Sequence, residues 1–182
     1  MVHEVVATPV LILTGPVGVG KTIVAEELSK LLREMRVAHA VVDMDWLRSC
    51  YPSPEHDPFH TDLGLQNLAT VWTNYRAAGA RRLVLVDIVE TRSALTTYQA
   101  AIPDADILVV RLNATLPTIL RRLERRETGA SLTWHRRRAA ELVGQMEEKA
   151  VEDLLIQTEG KTVVAIAREV LSRTGWAITA DL

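Results

Sequence analysis

Apolar positions along the chain fall into two alternating kinds of run. Residues 9–14 (PVLILT) form a short branched stretch that stops at Gly15, and residues 22–36 then set Val24, Leu28, Leu31, Leu32 and Met35 on one helical stripe. This predicts a strand, a glycine-rich turn and a helix. A second apolar run, 38–42, ends at Asp43; a third, 83–86, ends at Asp87 after a helical stretch carrying Leu65, Leu68, Trp72 and Tyr75 that Gly79 closes. Residues 107–112 read as a fourth strand, 116–127 as a helix capped by Thr115, 153–158 as a fifth strand, and 163–173 as a last helix before Gly175. Short, continuously apolar strands that alternate with helices indicate a parallel α/β sheet covered by helices on both faces.

No repeat and no flexible linker divides the chain, and 182 residues, 48% of them hydrophobic, suit one compact domain with a sizeable core. No apolar run approaches the roughly 18 residues of a membrane span. The 21 Lys and Arg nearly balance the 23 Asp and Glu, and aromatics are 4% of the residues. Both facts argue against a general nucleic-acid binder, which needs a basic field or stacking surface. Any anion site must then be local. The lone Cys50 cannot form an internal disulfide, and the first residues lack the pattern of a secretory signal, so a reducing cytoplasm is expected.

One segment carries specific chemistry. Gly15, Pro16, Val17, Gly18, Val19, Gly20, Lys21 and Thr22 fit the Gly-x4-Gly-Lys-Ser/Thr pattern, placed after a buried strand and at the start of a helix, as its mechanism requires. The glycines let backbone N–H groups turn toward phosphate oxygens, Lys21 brings a point charge to the outer phosphates, and the Thr22 hydroxyl can ligate Mg²⁺. ATP and Mg²⁺ are therefore the expected cofactors.

Together, the phosphate loop, the five-strand pattern and the length resemble the small P-loop kinases: nucleoside monophosphate, shikimate, gluconate and adenylylsulfate kinases and chloramphenicol phosphotransferase. The resemblance covers nearly the whole chain. It implies a three-layer P-loop fold with a five-stranded parallel sheet in the order 2-3-1-4-5. It also implies an ATP site at the loop, an acceptor-binding segment at about residues 44–79 and an arginine-rich lid at about 121–138.

Asp43-Met44-Asp45-Trp46-Leu47-Arg48 resembles the Asp-Gly-Asp-x-x-Arg segment of adenylylsulfate kinases, with Met44 in place of glycine. An acid at the carboxyl end of a strand beside the phosphate loop can face the γ-phosphate, order Mg²⁺ or accept a hydroxyl proton. Asp45 is the first candidate and Asp43 the second; the alternative for either is capping the following helix. Arg48 is a candidate contact for an anionic acceptor or an ordinary surface residue. Asp87, at the end of an apolar strand, is a candidate for the metal shell, and Glu90 and Arg92 are candidates for the acceptor site.

Seven of the 21 basic residues, Arg121, Arg122, Arg125, Arg126, Arg136, Arg137 and Arg138, lie within 121–138. By resemblance, Arg122 covers the base and Arg126 reaches the phosphates, with 127–133 as the lid tip. Such a crowd of like charges predicts an open lid until polyphosphate binds; the alternative is a solvated helix face. Three of the seven prolines fall in 51–61, where His56, Asp57, Phe59 and His60 are pocket candidates. Trp72 and Tyr75 suit a core or interface better than a ligand platform.

The expected activity is ATP-dependent phosphoryl transfer to a small acceptor, with an adenylylsulfate-like or nucleotide-like anion favoured and a sugar acid or antibiotic hydroxyl as alternatives. A competing class is an ATPase or switch module acting on a protein or RNA partner. No Asn-Lys-x-Asp motif for guanine is present.

Overall fold

The computed structural model describes residues 7–176. Strand β1 (Thr8–Thr14) leads through the phosphate loop into helix α1 (Lys21–Glu34), then β2 (His39–Asp43), a single turn α2 (Met44–Leu47) and α3 (Thr61–Ala77). The chain continues through β3 (Arg82–Val86), a 3-10 turn at Arg92–Ala94, α4 (Leu95–Ala101) and β4 (Ala105–Asn113). Helices α5 (Leu116–Glu124) and α6 (Gly129–Lys149), strand β5 (Leu154–Gln157) and helix α7 (Val163–Thr174) complete it.

All neighbouring strands pair in parallel, in the order β2-β3-β1-β4-β5. The period of two along β1 divides the core. Leu11 and Leu13 pack with Leu28 and Leu32 of α1, Ile119 and Leu123 of α5 and Val170 of α7. Val10 and Ile12 pack with Leu68 and Trp72 of α3 and Tyr98 of α4. A fully buried Leu or Ile contributes about 1.5–3 kcal/mol relative to exposure, so every β1 residue in these clusters holds the sheet from one face or the other.

This order makes β1 the switch point from which successive crossovers leave in opposite directions, and ligands of open α/β sheets bind at that point beyond the strand ends. Gly15 lies there with φ +143°, and a Cβ on it would stand 2.5 Å from the Leu112 carbonyl oxygen of β4. Only glycine lets the loop run so close to the neighbouring strand.

Three local expectations differ from the structure. Helix α4 is absent from the sequence reading because its Ser/Thr-rich stretch has weak periodicity. Thr96 and Thr97 turn their hydroxyls back onto the carbonyls of Ser93 and Ala94, which hides them from a polar-face pattern. Helix α5 stops at Glu124 rather than 127, where the N–H groups of Arg126 and Glu127 both close onto the Leu123 carbonyl. Because α6 then begins at Gly129, the lid tip is residues 125–128, and most of 127–133 is helical.

Candidate active site

The phosphate loop is held in shape by its own lysine. Lys21 Nζ donates to the carbonyls of Gly15 at 2.9 Å and Pro16 at 3.3 Å, so the ammonium is folded over the loop. Burial pushes it down to about 8, against the opposing pull of the Asp45, Asp87 and Asp43 charges around it. A cation held among three carboxylates marks where polyphosphate charge would be matched.

Asp43 ends β2 and performs two tasks. Its Oδ1 accepts the Asp45 N–H at 3.1 Å and so caps α2, while its Oδ2 accepts the Thr22 hydroxyl at 2.9 Å. Capping and a role at the phosphate loop, taken from sequence as alternatives, coexist because the carboxylate has two oxygens. Thr22 Oγ1 and Asp43 Oδ2 form a pair of hard oxygen donors beside Lys21. That set suits Mg²⁺, which is held by one or two protein oxygens together with phosphate and water rather than by a protein cage. Among the described residues no cluster of three or more His, Cys, Asp and Glu could hold a metal ion.

Asp45, in the first turn of α2, points elsewhere. It lines a cavity of about 400 Å³ whose wall includes Arg48, Phe59, Glu90, Trp134 and Arg138. Desolvation, reinforced by the nearby Asp43 and Asp87 charges, pushes its carboxyl above the ordinary carboxylate range, which makes it a stronger base than a surface aspartate.

Asp87 is placed differently from the metal-shell expectation. Arg48 grips it with two hydrogen bonds, Nη1 to Oδ1 at 2.7 Å and Nη2 to Oδ2 at 2.6 Å, and the Tyr98 hydroxyl donates to Oδ2 as well. With the Ile88 N–H on Oδ1, both oxygens are occupied. Burial and the adjacent Asp87 charge push the Tyr98 phenol upward, which keeps it protonated and donating. Room for Arg48 comes from Gly64 in the first turn of α3, where a Cβ would stand 2.7 Å from Arg48 Cγ. Arg48, from sequence either an acceptor contact or a surface residue, thus serves an ion pair with a buried aspartate. Arg92, the other candidate, pairs with Asp153 just before β5 and does not line the cavity.

The segment 51–61 divides in a similar way. Asp57 accepts the N–H groups of Thr61 at 2.7 Å and Asp62 at 2.9 Å, and so caps α3. His60 is buried and meets the Ser53 hydroxyl, whereas Phe59 faces the cavity at 73% exposure. Trp72 is core.

The lid arginines are mostly matched. Arg126 pairs with Glu127, Arg136 with Glu124, Arg137 with Glu141 and Arg138 with Glu90, which offsets part of the repulsion that would hold an empty lid open. Arg122 donates to the Val19 carbonyl at 2.8 Å and to the Thr158 hydroxyl at 3.3 Å, tying α5 to the phosphate loop. Arg126 lies close enough to Lys21 to oppose its charge electrostatically.

A family model described as an AAA domain matches residues 11–144, from within β1 to within α6. The chain belongs to that AAA domain family. A comparison with curated protein sequences gives no match. Solved structures share the fold at low identity. The Deinococcus radiodurans tunicamycin resistance protein matches with TM-score 0.65 and 19% identity over 92% of this chain and 96% of that one. A gluconokinase from Sinorhizobium meliloti 1021 matches with TM-score 0.61 and 16% identity over 93% of each chain. The Mycobacterium tuberculosis APS kinase CysC, solved with AMPPNP and APS, gives TM-score 0.57 and 19% identity over 93% of this chain and 98% of that one.

This AAA domain therefore has the sheet order and the P-loop kinase fold that its sequence resembled. Its candidate residues gather at the carboxyl ends of β1, β2 and β3, where Lys21, Thr22, Asp43, Asp45 and Glu90 surround the space between loop and cavity. Sequence reasoning missed Tyr98, Gly64 and, as a cavity residue, Trp134. Tyr98 and Trp134 lie on helices whose faces single-sequence periodicity does not resolve, and only the Gly in the first turn of α3 carries a signal. Among the described residues no helix is long and apolar enough to cross a membrane.

Proposed function

We propose that this protein transfers the γ-phosphoryl group of ATP to a hydroxyl of a small molecule bound in the cavity beside Asp45. The observation that carries the proposal is the position of Asp45, which faces that cavity and is also electrostatically coupled to Lys21 of the phosphate loop. A carboxylate placed between a nucleotide site and a pocket can take a proton as phosphate departs toward the pocket.

In this proposal the loop N–H groups and Lys21 bind and orient the β- and γ-phosphates, and Arg126 leaves Glu127 to meet charge that develops on the transferred group. Thr22 and Asp43 would hold Mg²⁺, which when bound neutralises phosphate charge. Arg122 fixes the loop through Val19 and borders the base. The acceptor oxygen bonds to the γ-phosphorus as its O–H proton passes to Asp45. The bond from that phosphorus to the β–γ bridging oxygen breaks, and its electron pair leaves with ADP.

The test is ADP release from the full chain with Mg-ATP, alone and with a panel of hydroxyl compounds, followed by identification of the phosphorylated product. Acceptor-stimulated release that is lost in Asp45→Asn supports phosphoryl transfer. Slow ATP hydrolysis that no compound accelerates would replace it with an ATPase.

A further inference from the structure

The phosphoryl-transfer reading leaves the acceptor open, and the cavity's charge pattern narrows it. Four charged residues line the cavity: Asp45, Arg48, Glu90 and Arg138. Both terminal nitrogens of Arg48 are bound to Asp87 and its Nε–H is buried beneath the surface without a partner among the described residues, while Arg138 is paired with Glu90, with Glu141 at 3.7 Å as a further partner. The remaining charge, Asp45, is negative. An acceptor bearing phosphate, sulfate or carboxylate would enter beside Asp45 and Glu90, and it would have to break an existing ion pair to find a guanidinium. The cost of separating such a pair opposes anion binding.

The rest of the wall suits a different molecule. Phe59, Leu65, Ile88 and Trp134 supply apolar surface from four separate parts of the chain. Phe59 and Trp134 are 73% and 45% exposed, and the His135 ring stands edge-on to Trp134 at 4.9 Å, so each aromatic keeps surface open to a ligand. Thr61 adds a hydroxyl that can both donate and accept without adding charge, while Thr91 shares its hydroxyl with Ser93, and Thr97 gives its proton to the Ala94 carbonyl and can only accept. Exposed aromatics with a few neutral polar groups are the composition of a site for an amphipathic small molecule.

We infer that the acceptor is an uncharged, hydroxyl-bearing molecule with an apolar or aromatic body, whose body lies between Phe59 and Trp134 and whose reacting hydroxyl meets Asp45. This inference rests on the phosphoryl-transfer reading only for the fate of the hydroxyl; binding selectivity tests it separately.

The experiment uses probes that differ in one feature. Phenyl β-glucoside, phenyl β-glucuronide and methyl β-glucoside are titrated calorimetrically into the full chain with Mg-ADP present, and each is also tested for ADP release from Mg-ATP. Phenyl β-glucoside should bind about tenfold or more tightly than methyl β-glucoside, because only it has a ring to bury. It should also bind about tenfold or more tightly than the glucuronide, which carries a carboxylate in place of the primary alcohol. Phe59→Ser and Trp134→Ser change exposed residues and should each erase most of the ring's advantage. Glu90→Gln removes the nearer of the two carboxylate charges on Arg138 and should shrink the discrimination against the glucuronide by about threefold or more. Tighter binding of the glucuronide, or no measurable binding of phenyl β-glucoside at millimolar concentration, overturns the inference. Binding in the expected order without ADP release upholds the acceptor class and counts against phosphoryl transfer. ADP release stimulated by gluconate or AMP but by no neutral alcohol does the reverse.

Discussion

Arg48 and Asp87 meet through two parallel hydrogen bonds of 2.7 and 2.6 Å, with the Asp87 side chain 2% exposed and Tyr98 closing one side. The pair fastens the turn after β2 to the end of β3, and so sets where Asp45 stands relative to the phosphate loop. Removing one member of a buried pair leaves the other charge without compensation, at a cost of about 3 kcal/mol. Asp87→Leu and Arg48→Met should each lower stability by about that amount in urea unfolding. The double variant Arg48→Met, Asp87→Leu should recover most of the loss. A double variant as unstable as the sum of the two singles would show that the residues act independently.

Lys21 illustrates a conflict between binding and stability. Its ammonium is pushed down to about 8 by burial, so the folded state disfavours the charge at neutral pH. A lysine whose folded value lies below its unfolded value destabilises the fold at pH below 8, and the wild type should gain stability as pH rises from about 8 to about 10.5. Lys21→Met should lose ATP binding and yet be as stable as the wild type at pH 7 or more so, by about 1 kcal/mol, after the bonds to Gly15 and Pro16 are lost. Its stability should also lack the rise above pH 8. Urea midpoints at pH 7 and 9.5 check both points; a large loss of stability at pH 7 would mean that Lys21 serves the fold.

Asp45 and Lys21 together should give a bell-shaped pH profile for kcat/KM. Asp45 must be ionised to accept a proton, and burial with its acidic neighbours raises its value, so the acid limb should lie above the ordinary carboxylate value of about 3.9. Lys21 must be charged, so activity with respect to ATP should fall as pH passes about 8. Asp45→Asn should lower kcat by about 100-fold, leave ATP affinity nearly unchanged and abolish the acid limb. An acid limb that persists in Asp45→Asn assigns it to another group.

Two lid arginines should respond differently to truncation. Arg122 bonds Val19 and Thr158, so Arg122→Ala should lower thermal stability and weaken ATP binding by about tenfold. Arg126 is 59% exposed at its side chain and paired only with neighbouring Glu127 among the described contacts, so its loss should leave the melting temperature unchanged. If it meets transferred charge, Arg126→Ala should lower kcat by about tenfold or more. Thermal melts and steady-state kinetics on both variants separate the roles, and equal effects would merge them.

Hydrogen exchange provides a further check on the lid. Because its arginines are already matched by Glu90, Glu124, Glu127 and Glu141, α6 should be partly protected without nucleotide. Added protection on binding an ATP analogue should concentrate at residues 123–128, where Arg126 changes partner. Uniform gain across the whole of α6 would instead indicate closure of the lid as a body.

The sequence by itself determined whatever a contiguous stretch can encode. The loop from Gly15 to Thr22 is one such stretch, with its glycines, lysine and hydroxyl in fixed order between a buried strand and a helix, and its chemistry follows from that order. The strands were readable for the same reason, since burial on both faces of a parallel sheet demands an unbroken apolar run. Asp43 and Asp45 are readable as site candidates because Asp43 ends a strand and Asp45 follows it by two residues. Tertiary structure decided how the charges are spent. Arg48 and Asp87 are 39 positions apart, and Glu90 and Arg138 are 48 apart. Whether such groups face a ligand or each other depends on which strands are neighbours and where α6 returns, and side-chain type and local periodicity carry no record of either. An arginine has the same letters whether it is open to an anion or already paired, and only the packed chain supplies the partner.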